Sequence, residues 1–185
     1  MGHMVCPWWL GYFLLNPLRR VVQSPERVVG PYVREGMTVF EPGPGMGYFT
    51  LPLARRVGPR GRVIAADVQE RMLASLRRRA SRAGVADRIE TRHVTGGDPG
   101  LADLRGQVDF VLAFAVVHEL PDQERFFAEA VAALKPGGRM LLAEPSGHVS
   151  EHAFEATITK AGAAGLWVER FPSLWSSRAA VMARP

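Results

Sequence analysis

The stretch Val39-Phe-Glu-Pro-Gly-Pro-Gly-Met-Gly-Tyr-Phe-Thr50 decides the fold of this chain. It continues a short apolar run, residues 37–40, and leads into an amphipathic segment, residues 48–57. Three glycines stand between them at alternate positions, namely Gly43, Gly45 and Gly47. Because glycine accepts positive φ and leaves the backbone open to a ligand, this order predicts a buried strand, a tight turn and a helix. The N–H groups of such a turn favour a polar or anionic ligand group.

Two acids near the turn narrow the choice of ligand. The spacing G-x-G-x-G differs from the dinucleotide fingerprint G-x-G-x-x-G, and a turn that binds nothing is the alternative. Glu41 ends the first apolar run and would repel a phosphate, whereas it suits an ammonium group. Asp67 stands twenty residues after Gly47 and closes a second apolar run, where a carboxylate can accept two hydrogen bonds from a ribose diol.

Four motifs, in order and at sensible spacing, resemble those of class I S-adenosylmethionine-dependent methyltransferases. They are the stretch 41–47, Asp67, the stretch 109–121 (DFVLAFAVVHELP) and the stretch 134–144 (LKPGGRMLLAE). The resemblance covers roughly residue 24 to the C-terminus, and the chain looks most like the small methyltransferases akin to ubiquinone/menaquinone-biosynthesis enzymes. It implies S-adenosyl-L-methionine as cofactor and S-adenosyl-L-homocysteine as product.

Strands and helices alternate along the sequence. This alternation predicts an α/β fold with a Rossmann-like, doubly wound and mostly parallel sheet, helices on both faces and a ligand crevice at the carboxyl ends of the strands. The resemblance implies seven strands, the last of them antiparallel. Residues 108–117 read as a central strand, and a turn at 136–138 precedes a strand at 139–144. We expect one domain, residues 1–185, with an aromatic extension at 1–23 and a core at 24–185.

Composition and charge limit the function classes. The chain is 47% hydrophobic and 22% charged, its formal net charge is +5 and its pI is about 10.1. An arginine-rich balance can indicate nucleic-acid binding, but it more often reflects a compositional bias of the source, so a nucleic-acid partner is not the first expectation. Cys6 is the single cysteine, so an internal disulfide and a cysteine zinc cluster are excluded. An arsenite-type methyltransferase is disfavoured for the same reason, because it needs several thiols. No signal peptide or transmembrane segment is evident, so a cytoplasmic location is expected by default.

The resemblance also implies roles for cofactor-binding residues. Glu41 would orient the ammonium group, Asp67 would bind the ribose hydroxyls, and Val68 and Met72 would pack on the adenine. Relatives usually place an acid at Thr95 to bind the adenine amine; here either Asp98 or Thr95 with backbone groups would take that place. The full expected set is Glu41, Pro42, Gly43, Gly45, Gly47, Asp67, Val68, Met72, Thr95, Gly96, Ala113, Phe114 and Ala115.

The implied reaction is an in-line displacement that moves a methyl group from a sulfonium to a nucleophile. His118 follows a buried strand at the rim of the crevice and is the first candidate for a general base, because histidine titrates near neutral pH. A positioning or structural role for His118 is the alternative. His148 and Glu144 are rival bases, and Tyr48 and Glu119 rank below them. No histidine–carboxylate spacing indicates a metal site.

The methyl acceptor is expected to be a small, apolar or aromatic metabolite. Trp8, Trp9 and Tyr12 in the aromatic extension are expected to face it, together with His118, as a lid over the site. The alternative for this extension is a core or dimer contact, so a homodimer is possible. Competing functions are an RNA or protein methyltransferase, a nicotinamide-dependent oxidoreductase and a catalytically silent cofactor-binding regulator.

Overall fold

The computed structural model describes residues 24–95 and 97–185. These two ranges form two compact units, and each unit has its own strands and helices. Four residues expected in the site, Trp8, Trp9, Tyr12 and Gly96, lie outside the described residues. The single-domain interpretation with an aromatic extension at 1–23 stays a prediction.

The unit of residues 24–95 contains three parallel strands in the order β3-β2-β1. Its elements are α1 (Pro25–Val29), β1 (Thr38–Pro42), α2 (Thr50–Val57), β2 (Arg62–Asp67), α3 (Glu70–Arg82), a 3₁₀ turn (Ala86–Arg88) and β3 (Ile89–His93). In the sheet register Val39 pairs with Val63, and Val63 pairs with Ile89. Each parallel connection passes through a helix or turn, as the βαβ pattern of the sequence predicts.

Local sequence explains where the helices of this unit begin and end. The Ser24 hydroxyl accepts a hydrogen bond from the Arg27 N–H at 3.4 Å, so Ser24 caps α1. This helix ends at Val29, because Pro31 has no N–H to continue the ladder. The apolar residues at helical spacing along α3 are buried: Met72, Leu73, Leu76 and Ala80.

The unit of residues 97–185 contains four strands in the order β4-β5-β7-β6. Its elements are β4 (Val108–Phe114), a 3₁₀ turn (Val117–Glu119), α4 (Gln123–Ala133), β5 (Leu134–Pro145), α5 (Glu151–Ala163), β6 (Trp167–Arg170) and β7 (Ser177–Ala183). β4 and β5 are parallel, whereas β7 runs antiparallel to both β5 and β6. Strands and helices alternate along the chain in both units, and the predicted α/β Rossmann-like fold is confirmed.

Two strand limits differ from the prediction. The strand expected over residues 108–117 ends at Phe114, because Ala115 adopts a φ of 55° and turns the chain out of the sheet. The strand expected at 139–144 begins already at Leu134, which pairs with Val108. Gly137 has a φ of 75°, and its N–H donates to the Arg184 carbonyl at 2.9 Å. The turn expected at 136–138 is therefore an irregularity within β5, where the pairing with β4 shifts between Leu134 and Arg139.

Two further observations concern the described ranges only. None of their helices has the length and apolar character needed to cross a bilayer. Their histidine and acidic side chains also form no group of three or more that could hold a metal ion.

Candidate functional site

The glycine turn after β1 has the backbone conformation that its sequence predicts. Gly43, Gly45 and Gly47 have φ values of 61°, 54° and 88°, in the region that other residues rarely adopt. A Cβ added at Gly45 would meet no atom within 4 Å, so the backbone there is open to a ligand. A Cβ at Gly47 would overlap the Leu76 side chain of α3. Gly47 therefore serves the packing of the turn on α3, a role that the motif alone did not reveal.

Asp67 at the end of β2 is tied to the same turn. Its Oδ2 accepts a hydrogen bond from the Gly45 N–H at 3.3 Å, and its Oδ1 accepts one from the Gln69 N–H at 2.8 Å. The carboxylate thus joins the ends of β1 and β2. Sequence reasoning assigned Asp67 to a ligand and missed this support of the turn, because the two residues are 22 positions apart.

Glu41 is buried at the end of β1 and is incompletely hydrogen-bonded. Its side chain is 3% exposed, and its Oε2 has no hydrogen-bond partner among the described residues. The Thr50 Oγ1, on the first residue of α2, is likewise buried without a partner there. Burial raises the pKa of Glu41 to about 8, although the neighbouring Thr50 hydroxyl opposes the shift, and the charge of Asp67 contributes a smaller part of the increase. An unpaired buried carboxyl oxygen costs free energy, so the site is suited to a ligand that carries a cation or a donor.

The other expected cofactor residues lie at strand ends or in the helices that follow. Val68 is 52% exposed after β2, whereas Met72 is buried within α3. Thr95 is exposed after β3. The Asp98 carboxylate accepts a hydrogen bond from the Gly100 N–H at 2.8 Å, which holds it in a local turn.

The remaining expected cofactor residues are Ala113, Phe114 and Ala115, at the end of β4. Ala113 is fully buried, and the other two are half-buried. Their role toward a cofactor stays a prediction, as does that of Pro42 in β1.

His118 and Glu144 form a hydrogen-bonded pair in the unit of residues 97–185. The His118 Nδ1 lies 2.6 Å from the Glu144 Oε2, and the His118 backbone N–H donates to the Glu144 Oε1 at 3.1 Å. Glu144 is 1% exposed at the end of β5, and its carboxylate therefore fixes both the ring and the backbone of the 3₁₀ turn. With Nδ1 hydrogen-bonded to the carboxylate, the Nε2 atom is the one left for proton transfer.

The charge state of His118 follows from this contact. The hydrogen bond to Glu144 raises the pKa of His118 above its ordinary value, although burial opposes the shift. The nearby carboxylate of Glu119 adds to the increase, with its Oε1 3.9 Å from the His118 Nε2. The ring is therefore a stronger base than a free imidazole, and it becomes neutral only at a higher pH.

A second set of contacts holds the 3₁₀ turn that carries His118. The Gln123 Nε2 donates to the Val117 carbonyl at 3.0 Å, and the Lys160 Nζ donates to the Gln123 Oε1 at 3.0 Å. Lys160 lies on α5, 37 positions after Gln123, so no local sequence pattern could have linked the two.

The rival bases differ from His118 in their surroundings. Glu144 hydrogen-bonds to His118 and so acts together with it. His148 is exposed in the turn after β5. Tyr48 is half-buried beside Phe49, with ring centroids 5.1 Å apart. The catalytic assignments of His118 and His148 stay predictions.

Comparison with known proteins agrees with these motifs. A family model described as "Methyltransferase domain" matches residues 40–142. The ubiquinone/menaquinone biosynthesis C-methyltransferase UbiE of Enterobacter sp. (strain 638) is 31% identical over 119 residues, which cover 64% of this chain and 47% of that enzyme. The arsenite methyltransferase of Halobacterium salinarum is 31% identical over 109 residues, 59% of this chain and 27% of that enzyme. The chain thus spans about half the length, or less, of these curated relatives.

A solved structure extends the agreement to the fold. The crystal structure of a SAM-dependent methyltransferase from Aquifex aeolicus superposes with a TM-score of 0.83 and covers 97% of this chain and 98% of that one. The identity is 24%, so this likeness concerns the fold. Because the family model includes the glycine turn, Asp67 and the His118 turn, and spans more than half of the chain, this protein belongs to the methyltransferase domain family.

Proposed function

We propose that this protein is an S-adenosylmethionine-dependent methyltransferase that acts on a small, apolar or aromatic metabolite. The observation that carries the proposal is Glu41, a buried glutamate with an unpaired oxygen beside an open glycine turn. An amino-acid ammonium group would supply the missing partner. A nucleotide phosphate brings no cation to this group, and it would be repelled by Glu41 in its carboxylate form.

The residues around the glycine turn have the chemical groups that S-adenosylmethionine requires. Glu41 would bind the ammonium group, and the open backbone at Gly45 would let the methionine portion approach. Asp67 would accept hydrogen bonds from the ribose hydroxyls while it holds the turn, since a carboxylate has about four acceptor positions. The exposed Val68 would cover the adenine, with Met72 beneath it. When bound, the cofactor supplies an electrophilic methyl group on a sulfonium.

His118 would remove the proton of the acceptor nucleophile. Its Nδ1–H is directed at Glu144, so the carboxylate would stabilise the imidazolium that forms when Nε2 takes the proton. General-base catalysis of this kind contributes roughly 10²–10⁴-fold, and alignment of the two reactants contributes more. The two hydrogen bonds to Glu144 and the support from Gln123 would keep the ring in place.

The acceptor class rests on the family and on the aromatic extension. One similar enzyme is a ubiquinone/menaquinone biosynthesis C-methyltransferase, so a quinone-like or phenolic ring is a reasonable first acceptor to test. Trp8, Trp9 and Tyr12 would cover such a ring. The cytoplasmic location and a possible homodimer belong to the same proposal.

Calorimetry is the first test. S-adenosyl-L-homocysteine should bind to the purified protein and NAD should not, and Asp67→Ala should weaken binding of the former by about 1.5–3 kcal/mol. Methyl transfer is then measured with isotope-labelled cofactor against a panel of phenols, hydroquinones, small RNAs and peptides. Tight binding of NAD alone would refute the cofactor assignment, and methylation of RNA or peptide in place of the phenolic panel would refute the acceptor class.

A further inference from the structure

The charge of the chain is divided unevenly between its two units. Residues 24–95 contain thirteen arginines and seven acids, a formal net charge of +6, whereas residues 97–185 contain eight basic residues and eleven acids, a net charge of −3. A general preference for arginine would raise the basic content of both units. The excess in the first unit therefore needs a local explanation.

Seven of these arginines belong to one edge of the first unit, which we call the basic edge. It consists of residues 30–37, 55–62 and 82–88, which precede β1, β2 and β3 and include the last turns of α2 and α3. A helix between two parallel strands runs back along them, so its C-terminal turn lies at their amino ends. The edge contains two acids, Glu35 and Asp87. Its arginines are Arg34, Arg55, Arg56, Arg60, Arg62, Arg82 and Arg88.

Hydrogen bonds join the segments of the basic edge into one surface. The Gly36 N–H donates to the Val57 carbonyl at 2.8 Å, and the Arg88 Nη1 donates to the Ala54 carbonyl at 3.3 Å. The Arg56 side chain donates to the carbonyls of Gly30 and Val33, both at 2.5 Å. The basic edge is therefore a continuous part of the molecule.

The arginines of the basic edge differ in what they contact. Arg56 and Arg88 donate to carbonyls at the ends of helices and turns, so they stabilise the fold. Arg60 pairs with Glu35 at 3.1 Å, although both side chains are more than half exposed and such a pair is weak. Arg34, Arg55 and Arg82 are exposed on the edge. These three guanidinium groups are placed to meet an external anion.

We propose that the basic edge binds the phosphate backbone of a nucleic-acid duplex. The planar guanidinium group matches phosphate oxygens with two parallel hydrogen bonds, and several such groups on one surface give sequence-independent binding. The half-buried Tyr32 is the single aromatic residue of the edge, so base stacking, the usual means of holding single strands, is not provided. The duplex backbone is therefore the ligand.

An anionic membrane is the less suitable partner for this surface. Helices and loops that insert into a membrane surface expose large apolar side chains beside their basic ones. The large hydrophobic side chains exposed in the described residues are Val68, Trp167, Phe171 and Trp175, and none of them belongs to the basic edge.

The basic edge and the glycine turn lie at opposite ends of β1, β2 and β3. Binding of a duplex at the edge should therefore leave the turn accessible. Affinity for S-adenosyl-L-homocysteine consequently serves as a check that an edge variant is folded, and it separates failure of this inference from failure of the proposed function.

The test is fluorescence anisotropy of labelled 20-base-pair DNA and RNA duplexes over a salt series, with phosphatidylserine vesicles as a third probe. Arg55→Glu and Arg82→Glu are each expected to reduce the slope of log K against log salt by about 1 for the DNA duplex. Arg105→Glu, an equal charge change at an exposed position of the other unit, is the matched control and should leave the slope unchanged.

Several outcomes would overturn the inference. The inference would be wrong if the unmodified protein bound neither duplex, or if it bound the vesicles in place of the duplexes. It would also be wrong if the slope of log K against log salt were unchanged in both edge variants, or if it fell equally in Arg105→Glu. Comparison of the DNA and RNA arms then identifies which duplex the edge prefers.

Discussion

Glu41 and Glu144 are both buried glutamates at the carboxyl ends of parallel strands, yet their hydrogen bonding differs. Glu144 is 1% exposed and accepts two hydrogen bonds from His118, one at each oxygen. Glu41 is 3% exposed, and its Oε2 has no partner among the described residues. The two side chains are therefore similarly buried, but both oxygens of Glu144 are hydrogen-bonded, whereas Oε2 of Glu41 is not.

This difference indicates what each glutamate does. Glu144 is satisfied within the fold, so its effect is exerted on His118, whose pKa its hydrogen bond raises. Glu41 is not satisfied, and burial raises its pKa to about 8. A carboxyl group in this state gains most from a ligand that brings a positive charge. The comparison thus separates a positioning acid from a binding acid.

The largest effect is expected from substitutions in the hydrogen-bonded pair of His118 and Glu144. If His118 is the base, His118→Ala should lower kcat by about 10²–10⁴-fold, because the nucleophile loses its proton acceptor. Glu144→Gln should lower kcat less and leave cofactor affinity unchanged. Single-turnover rates with labelled cofactor on the true acceptor measure both. An undiminished rate in His118→Ala would remove the base assignment.

The pH profile of the same reaction sharpens this test. Since Glu144 raises the pKa of His118, the neutral base accumulates only above the ordinary histidine value, and kcat/KM should rise through a break above pH 6.5. In Glu144→Gln the break should move to lower pH. A break that stays in place would show that another group titrates.

The next effect concerns the glycines beside Glu41. Gly47→Ala should destabilise the fold by about 1–3 kcal/mol, because the new methyl group overlaps Leu76 and φ is 88°. Gly45→Ala meets open space, so strain at a φ of 54° is its main cost, about 1–2 kcal/mol. The Gly45 variant should lose cofactor affinity in addition. Urea denaturation and calorimetry compare them, and equal stability of the two variants would contradict the packing role of Gly47.

Glu41→Gln tests the unsatisfied acid directly. Without cofactor, the variant should be more stable than the parent by about 1–3 kcal/mol near pH 8, because no buried charge needs to form. The sign follows from linkage: the folded pKa of Glu41 lies above its unfolded value, so the parent loses stability as pH rises from about 4.5 to 8. Denaturation at a series of pH values measures this.

Cofactor binding should also release a proton from Glu41 near neutral pH, because the bound ammonium group favours the carboxylate. Calorimetry in two buffers of different ionisation enthalpy detects the release, and Glu41→Gln should abolish it. A release of equal size in the variant would assign the proton to another group.

The smallest effect is expected at Ala115. Its φ of 55° costs about 1–2 kcal/mol for a residue with a Cβ, and glycine would relieve this at a cost in chain entropy of about 0.5–1 kcal/mol. Ala115→Gly should therefore raise the free energy of unfolding by up to about 1 kcal/mol. If the strained turn positions His118, kcat should fall at the same time. A destabilised variant would show that the strain is absent.

Much of this arrangement was predictable from the sequence. The strand–turn–helix order, the acids at strand ends and the family were all predicted from residues 39–50, 67 and 109–121, since alternation of apolar runs and glycine turns is a local property. The early end of β4 was not predictable, because an apolar run continues through residue 117 and only the conformation of Ala115 stops the strand. The contacts of Glu144 with His118 and of Lys160 with Gln123 join residues 26 and 37 positions apart, so they depend on the tertiary fold.

The position of β7 has a consequence for how the chain is made. β6 comes before β7 in the sequence, yet it contacts the sheet only through β7, which lies between β5 and β6. On the ribosome, residues 167–170 emerge first and have no neighbouring strand until residues 177–183 follow. Until then the outer side of β5 is also unpaired, so at this stage of synthesis the nascent chain is exposed to strand pairing with other molecules.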